Sequence, residues 1–444
     1  MGYGPHLRWP DGLWTIPKEN FQKAMLLWKG KGQQKWLTVR DDSIKFPRDG
    51  GTSPAPQQFL AMLEGAGLKI GEMSNVLDQG AGICGIAAEV KLKYPHVNVL
   101  SYAPHDTHTN QIQGCLERGL AAIIFALARY QVPVPSASYD MVTCKFCWHW
   151  LAGSSMGHWF SEVDRVLKPG GKFIISVAAH RWSNKDMWGQ SEHWRKMLGW
   201  EREGSEFSVF TKPLVATPAN SLVPCFPGFR LQPTFRKHLH LCKHNASAPP
   251  AVIKPEVKHA FFSELPSLAA CVNATGPIQN VLNARAGSFF SKAWMAMFPN
   301  SWVMNIQNVE AFEFKPKEKS IDWTHGFIEH TVSIGTDYLP ALFANGSFGL
   351  YHDPCYMLPV YPRTFDVIYL ASFEGLGHRE EGCGFDLYLE YDRILRPGAY
   401  FATVDSKLPA ADLGSLGWSK VTCAGVTATT VYQKRAAPPA VTVS

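Results

Sequence analysis

The run Leu77-Asp78-Gln-Gly80-Ala-Gly82-Ile-Cys-Gly85 carries the sharpest chemical signal in this sequence. It follows a short apolar stretch and precedes an Ala-rich one, which predicts a turn from strand to helix. Glycines at such a turn permit a sharp bend and let backbone approach a bound ligand. Gly80, Gly82 and Gly85 are therefore candidate cofactor-binding residues, with the acidic Asp78 beside them. Their spacing alone also fits dinucleotide folds. Asp106 lies just past the next predicted strand, where a carboxylate can hold both hydroxyls of a ribose. It equally fits the N-cap of the helix that follows, and the two roles are compatible.

Four cationic or titratable residues, Lys145, His149, His180 and Arg181, fall after the fourth and fifth predicted strands. In open α/β sheets ligands sit at that carboxyl edge. His149 and Arg181 rank first as catalytic candidates, although each taken singly also reads as an exposed polar loop residue. Asp140 reads as a strand-initiating residue, and Asp164 with Arg165 as an ion pair on or between elements. Cys144 and Cys147 form the only CxxC among ten cysteines. No second CxxC stands at zinc-ligand spacing, no metal is expected, and a packing or disulfide role is preferred.

The elements that must position these residues alternate regularly. Strands are predicted at 75–78, 97–103, 121–126, 139–144 and 172–177, with a late edge strand at 207–211. Helices are predicted at 57–66, through residue 91, at 107–118 (closed by Gly119) and at 159–167. The last is stopped by Lys168-Pro-Gly-Gly171. Strand and helix at this spacing imply a parallel, doubly wound sheet.

Composition permits such cores. The chain has 444 residues, 46% hydrophobic and 18% charged, which argues against a solvating or disordered chain. Its net charge of +6 comes without any Lys/Arg block, so no nucleic-acid partner is expected. No apolar run reaches membrane-spanning length, and the N-terminus lacks the pattern of a signal peptide. Sequons at Asn245, Asn273 and Asn345 weakly favour a secretory compartment.

The pattern also recurs. Tyr139-Asp-Met-Val followed by Glu162-Val-Asp-Arg-Val-Leu-Lys-Pro-Gly170 is matched by Phe365-Asp-Val-Ile followed by Glu390-Tyr-Asp-Arg-Ile-Leu-Arg-Pro-Gly398. Asn75-Val-Leu-Asp78 is matched by Asn280-Val-Leu-Asn283. Duplication explains this better than chance. The chain is expected to divide into an N-terminal extension (1–70) packing on the first domain, a cofactor-binding domain (71–213) and a Pro-rich connection (214–275). A second, degenerate domain (276–434) and a disordered tail (435–444) follow.

Two details favour S-adenosylmethionine over a dinucleotide. Asp78 stands just before the glycines, where methyltransferases place an acidic residue near the cofactor's amino-acid end. Val132-Pro-Val-Pro135 with Tyr139-Asp140, and Val166-Leu-Lys-Pro-Gly-Gly171, also recur in class I methyltransferases. The chain resembles the plant methyltransferase family that includes the Quasimodo-type pectin methyltransferases. The likeness runs from Arg8-Trp9-Pro10 to about Lys434, through Ala103-Pro-His-Asp106-Thr-His108, Leu116-Glu-Arg-Gly119, Phe210-Thr-Lys-Pro213, Trp302-Val-Met-Asn305, Gly349-Leu-Tyr-His-Asp353 and Tyr361-Pro-Arg-Thr-Phe-Asp366.

The resemblance implies tandem class I methyltransferase domains of Rossmann-like, doubly wound α/β fold, S-adenosylmethionine as cofactor, and a Golgi-lumen enzyme that methyl-esterifies homogalacturonan-like acidic polysaccharide. Departures accompany it. The family's N-terminal membrane anchor is not in this sequence, which leaves a soluble or cytoplasmic location open. Trp148-His-Trp150 differs from the family, and Asn283-Ala-Arg-Ala-Gly287 lacks the acidic residue and a glycine. One cofactor site, in the first domain, is therefore expected. Two other functions stay open: a catalytically silent scaffold for a glycosyltransferase partner, and a small-molecule methyltransferase.

Overall fold

The computed structural model describes residues 13–20, 37–48, 54–103, 111–125, 132–145, 155–175, 185–203, 208–215, 263–273, 276–284, 288–307, 339–352, 357–371, 384–404 and 410–435. Asp106, Cys147, Trp148–Trp150 with His149, His180, Arg181, most of the Pro-rich connection and all of the 435–444 tail but Arg435 lie outside them.

Near the N-terminus, β1 (Thr15–Pro17), β2 (Thr38–Val39) and β3 (Ser43–Lys45) form a small antiparallel sheet in the order β1-β3-β2. Helix α1 (Pro56–Gly65) starts on a proline and buries Phe59, Leu60 and Leu63, residues spaced to share one face. The first large sheet then assembles from β4 (Asn75–Gln79), β5 (Asn98–Ala103), β6 (Ala122–Ile124), β7 (Tyr139–Cys144), β8 (Leu167–Ile175), β9 (Glu201–Glu203) and β10 (Ser208–Thr211). Between them run α2 (Gly85–Lys93), α3 (Gln111–Glu117), α4 (Ser155–Val166) and α5 (Lys185–Met197). The strand order is β6-β5-β4-β7-β8-β10-β9, with β10 antiparallel to both neighbours. Chain order reverses at β4, between β5 and β7, which is where such sheets open a crevice for ligand.

The second half repeats this. It contains α6 (Leu265–Asn273), β11 (Asn280–Asn283), α7 (Ser288–Met297), β12 (Trp302–Gln307), α8 (Leu339–Ala344) and β13 (Phe348–Tyr351). Then come β14 (Phe365–Leu370), α9 (Gly384–Ile394), β15 (Leu395–Thr403), α10 (Ala410–Ser415), β16 (Trp418–Val421) and β17 (Thr430–Lys434). Its order, β13-β12-β11-β14-β15-β17-β16, is the first sheet's order over again. The α/β class I methyltransferase fold is thus present twice, in tandem.

Three local expectations need correction. The late strand at 208–211 is not the sheet edge, because β9 pairs along its outer side. Lys168-Pro-Gly-Gly171 does not precede a strand but lies inside β8, where the register with β7 shifts between Tyr139 and Met141. Gly170 takes φ +77° there, a conformation that favours glycine. Arg165 does not pair with Asp164. It donates to both oxygens of Glu162 (2.9 and 2.5 Å) and to the carbonyls of Val134 and Val132. Asp164 instead accepts from the Trp200 indole at 2.9 Å and forms its inter-element ion pair with Lys212 at 3.6 Å. In the second half Arg393 repeats the first set on Glu390, Val360 and Leu358, and Asp392 accepts from Trp418. The shared Glu-x-Asp-Arg motif is therefore a clamp that fastens the helix to the segment ahead of the fourth strand.

The halves are fastened to each other reciprocally. Asn75 Nδ2 donates to Phe343 O at the end of α8 (2.8 Å), and Asn280 Nδ2 donates to Leu116 O in α3 (2.9 Å). Strand edges are covered in the same crossed fashion: Ile124 N donates to Pro359 O, and Tyr351 N to Pro133 O. An edge strand's free N–H groups invite pairing with another chain, and here each half covers the other's. A buried cluster completes the seam, with Arg396 on Asp366 at 2.9 Å and 3.6 Å from Glu117. The apolar core of the first sheet continues into the second half through Trp302, Phe343 and Phe348.

Candidate cofactor site

The site forms at the carboxyl end of β4. Valine and leucine bury that strand on both faces, and its last residues, Asp78 and Gln79, are buried with it. Asp78 is 1% exposed. Thr143, its register partner on β7, donates Oγ1 to Asp78 Oδ1 at 2.9 Å. The other oxygen, Oδ2, is buried without a protein hydrogen-bond partner. Burial pushes the Asp78 carboxyl up to about 7, against the pull of the Thr143 hydroxyl and of Lys145. A buried acceptor left open in this way is costly unless something completes it.

The turn that follows carries three left-handed residues: Gly80 (φ +62°), Gly82 (φ +57°) and Cys84 (φ +59°). A Cβ on Gly82 would meet only Gln111 Oε1, 4.0 Å away, so the space above this backbone is open. Gly85 behaves differently. A Cβ there would sit 2.6 Å from Pro56 Cγ, so that glycine is required by the packing of α2 on α1 rather than by close ligand approach. A disulfide joins Cys84 to Cys115 on α3, Cα to Cα 5.5 Å.

Lys145 directly follows β7. It is not the exposed cation expected for a substrate groove, being only 6% exposed. Its ammonium donates to Pro54 O and lies 5.7 Å from the centre of the Phe59 ring. Burial lowers it to about 8, while Asp78 acts in the opposite sense. Asp140, read as strand-initiating, accepts from the N–H groups of Ser74 and Asn75 and pairs with Lys168 at 2.7 Å. The structure thus brings together Asp78, Gly80 and Gly82, and adds Thr143, Gln111 and the Cys84–Cys115 link.

The equivalent strand end in the second half carries different side chains. Asn283 replaces Asp78 and donates to Asn305 Oδ1 at 2.8 Å, and Ser291 donates to the same oxygen at 2.7 Å. Tyr369, at the register position of Thr143, stacks on Phe290 at 4.4 Å.

A family model described as "Putative S-adenosyl-L-methionine-dependent methyltransferase" matches residues 1–216 and 320–415. The chain belongs to that family. It is an S-adenosylmethionine-dependent methyltransferase, and S-adenosylmethionine is its cofactor. Among curated proteins, Probable pectin methyltransferase QUA3 of Arabidopsis thaliana is 27% identical over 435 residues, 91% of this chain and 70% of that protein. Probable methyltransferase PMT15, also from A. thaliana, is 26% identical over 444 residues, 89% of this chain and 68% of that one. Of the solved structures, T. thermophilus 16S rRNA N2 G1207 methyltransferase aligns over 82% of this chain and 88% of its own at 15% identity, with a TM-score of 0.26. The fold rests on the strand order above rather than on that alignment.

The residues present fit this methyltransferase cofactor. Asp78 offers a buried acceptor without a partner, and the Gly82 backbone faces open space.

Proposed function

We propose that the first half holds S-adenosylmethionine over Gly80 and Gly82, with Asp78 taking the ammonium of its amino-acid end, and that the acceptor is a carboxylate of an acidic, homogalacturonan-like polysaccharide. The observation that carries the cofactor assignment is the buried, half-satisfied Asp78 carboxylate at the switch point of the sheet. The acceptor reading is supported by the likeness to a relative named as a pectin methyltransferase, over 91% of this chain.

When bound, the cofactor supplies an electrophilic methyl group. A galacturonate carboxylate is ionised near neutral pH, so no residue of this chain need remove a proton from it. What the protein contributes is placement and exclusion of water. Lys145, held by Pro54 O and flanked by Asp78, fixes a cation at the end of β7, where an acceptor would approach. His149 and Arg181 as catalytic residues and Asp106 as a cofactor-binding residue belong to the same proposal from the sequence alone, since they lie outside the described residues.

The compartment reading has support of its own. Every cysteine among the described residues (Cys84, Cys115, Cys144, Cys271 and Cys423) is disulfide-bonded. Such bonds persist in oxidising compartments. That fits a secretory lumen, as the family resemblance implies. Asn283 in place of Asp78, and Tyr369 in place of Thr143, support a scaffolding role for the second half alone.

The test uses the purified chain, cofactor labelled in its methyl group, and oligogalacturonate. Label should enter the polymer as an ester that mild alkali releases as methanol, and polymer whose carboxylates are already esterified should accept little. Cofactor binding without alkali-labile label would remove the pectin acceptor and leave the methyltransferase assignment standing.

A further inference from the structure

Left-handed backbone is costly for residues other than glycine and persists only where its surroundings hold it. The cofactor turn contains such a residue, Cys84, at the N-terminus of α2. Two fixtures from the end of α3 reach it. One is the Cys115 disulfide. The other is Arg118, whose Nη1 donates to Ile83 O, the carbonyl between Gly82 and Cys84.

Arg118 is unusual in its setting. It is 2% exposed, and its guanidinium lies 5.2 Å from the Trp14 ring centre and 4.6 Å from that of Phe46. Its Nε donates to Leu13 O at 2.7 Å, while Nη2 is buried without a partner. Glu89, the acid whose charge favours this cation, is engaged by Arg48 at 2.9 and 2.6 Å. Ile83 itself packs on the core of the small N-terminal sheet, formed by Ile16, Leu37, Ile44 and Phe46. One guanidinium therefore ties that sheet to the carbonyl inside the cofactor turn.

We infer that Arg118 is a positioning residue for S-adenosylmethionine: it couples the N-terminal sheet to the Gly82–Ile83–Cys84 turn and holds that turn in its binding conformation. The inference rests on the assignment of this turn to the cofactor. A lysine keeps the charge but has no planar fork to reach Leu13 O and Ile83 O together.

The experiment measures S-adenosylmethionine affinity of the full chain by calorimetry, and amide exchange of the cofactor-free protein, for the parent, Arg118→Lys and Gly80→Arg. Arg118→Lys should raise Kd at least tenfold and quicken exchange across residues 81–85, leaving β4 and β5 at parental rates. A Kd within twofold of the parent overturns the inference. So does exchange that quickens throughout the sheet in step with a lower melting temperature, because that marks general support of the fold. Binding that survives Gly80→Arg removes the turn's assignment, and the inference with it. Should Arg118→Lys fail to fold, Trp14→Leu reads the coupling from the other side. It leaves both hydrogen bonds of Arg118 in place, and is expected to raise Kd about threefold with the same local exchange pattern; parental affinity in that variant also overturns the inference.

Discussion

Asp78→Asn is expected to weaken S-adenosylmethionine binding about 100-fold while raising the melting temperature of the cofactor-free protein. Both effects have one source. Removing one member of a buried charged pair costs on the order of 2–5 kcal/mol, which sets the loss of affinity. Without cofactor, the same carboxylate is buried with Oδ2 unsatisfied, and its value of about 7 lies well above the 3.8 of a free aspartate. At about 1.4 kcal/mol per unit, holding it ionised in the fold costs on the order of 4 kcal/mol. Between those two values the folded chain keeps a proton that the unfolded chain has released. Stability of the cofactor-free parent therefore falls as pH rises from about 4 to about 7 and then levels off. The Asp78→Asn substitution would abolish that slope, and melting curves across the window measure it directly. Cofactor affinity should run the other way, weakening as pH drops below about 7, because the protonated acid no longer pairs with an ammonium. A parental melting temperature for Asp78→Asn at pH 8, or pH-independent affinity in the parent, would contradict this description of the site.

The two disulfides with both partners described should separate stability from binding. Closing a loop removes more chain entropy as the loop lengthens, by about 3–4 kcal/mol for the 31-residue separation of Cys84 and Cys115 and about 5 kcal/mol for the 152-residue separation of Cys271 and Cys423. Cys271→Ser with Cys423→Ser should thus lower the melting temperature more. Only Cys84→Ser with Cys115→Ser should also weaken S-adenosylmethionine, by about tenfold, because only that bond anchors the left-handed residue of the cofactor turn. Equal loss of affinity in both pairs of variants would mean that the turn is held by overall stability.

Much of this architecture is legible in the sequence because it is written in local patterns. The Val-Leu pairs of β4 and β11, the glycine turn and the repeated Glu-x-Asp-Arg-x-Leu motif all obey short-range rules, and together they yield the doubled α/β order. Partner choice is less legible. Asp164 and Arg165 are chain neighbours, but on a helix adjacent residues point in different directions. Arg165 therefore meets Glu162, three residues back, as helical spacing requires. Lys145 reads as an exposed cation because its position after a strand is visible, whereas the Pro54 carbonyl that holds it lies 91 residues away in sequence. The Cys84–Cys115 bond leaves a faint trace, since Cys84 sits inside the glycine run and Cys115 directly precedes Leu116-Glu-Arg-Gly119, but ten cysteines allow many pairings. The change at the second strand end is half visible. The change from Asp to Asn can be read directly, whereas the stacking of Tyr369 on Phe290 depends on the register of β11 with β14.

This duplicated chain is expected to keep one working cofactor site, in its first half. Calorimetric titration of the full chain with S-adenosylmethionine tests it most directly, run beside Gly80→Arg, which fills the turn where φ is +62°. The expected result is a stoichiometry of one per chain in the parent and no measurable binding in Gly80→Arg. A stoichiometry of two, or binding that persists in Gly80→Arg, would contradict it.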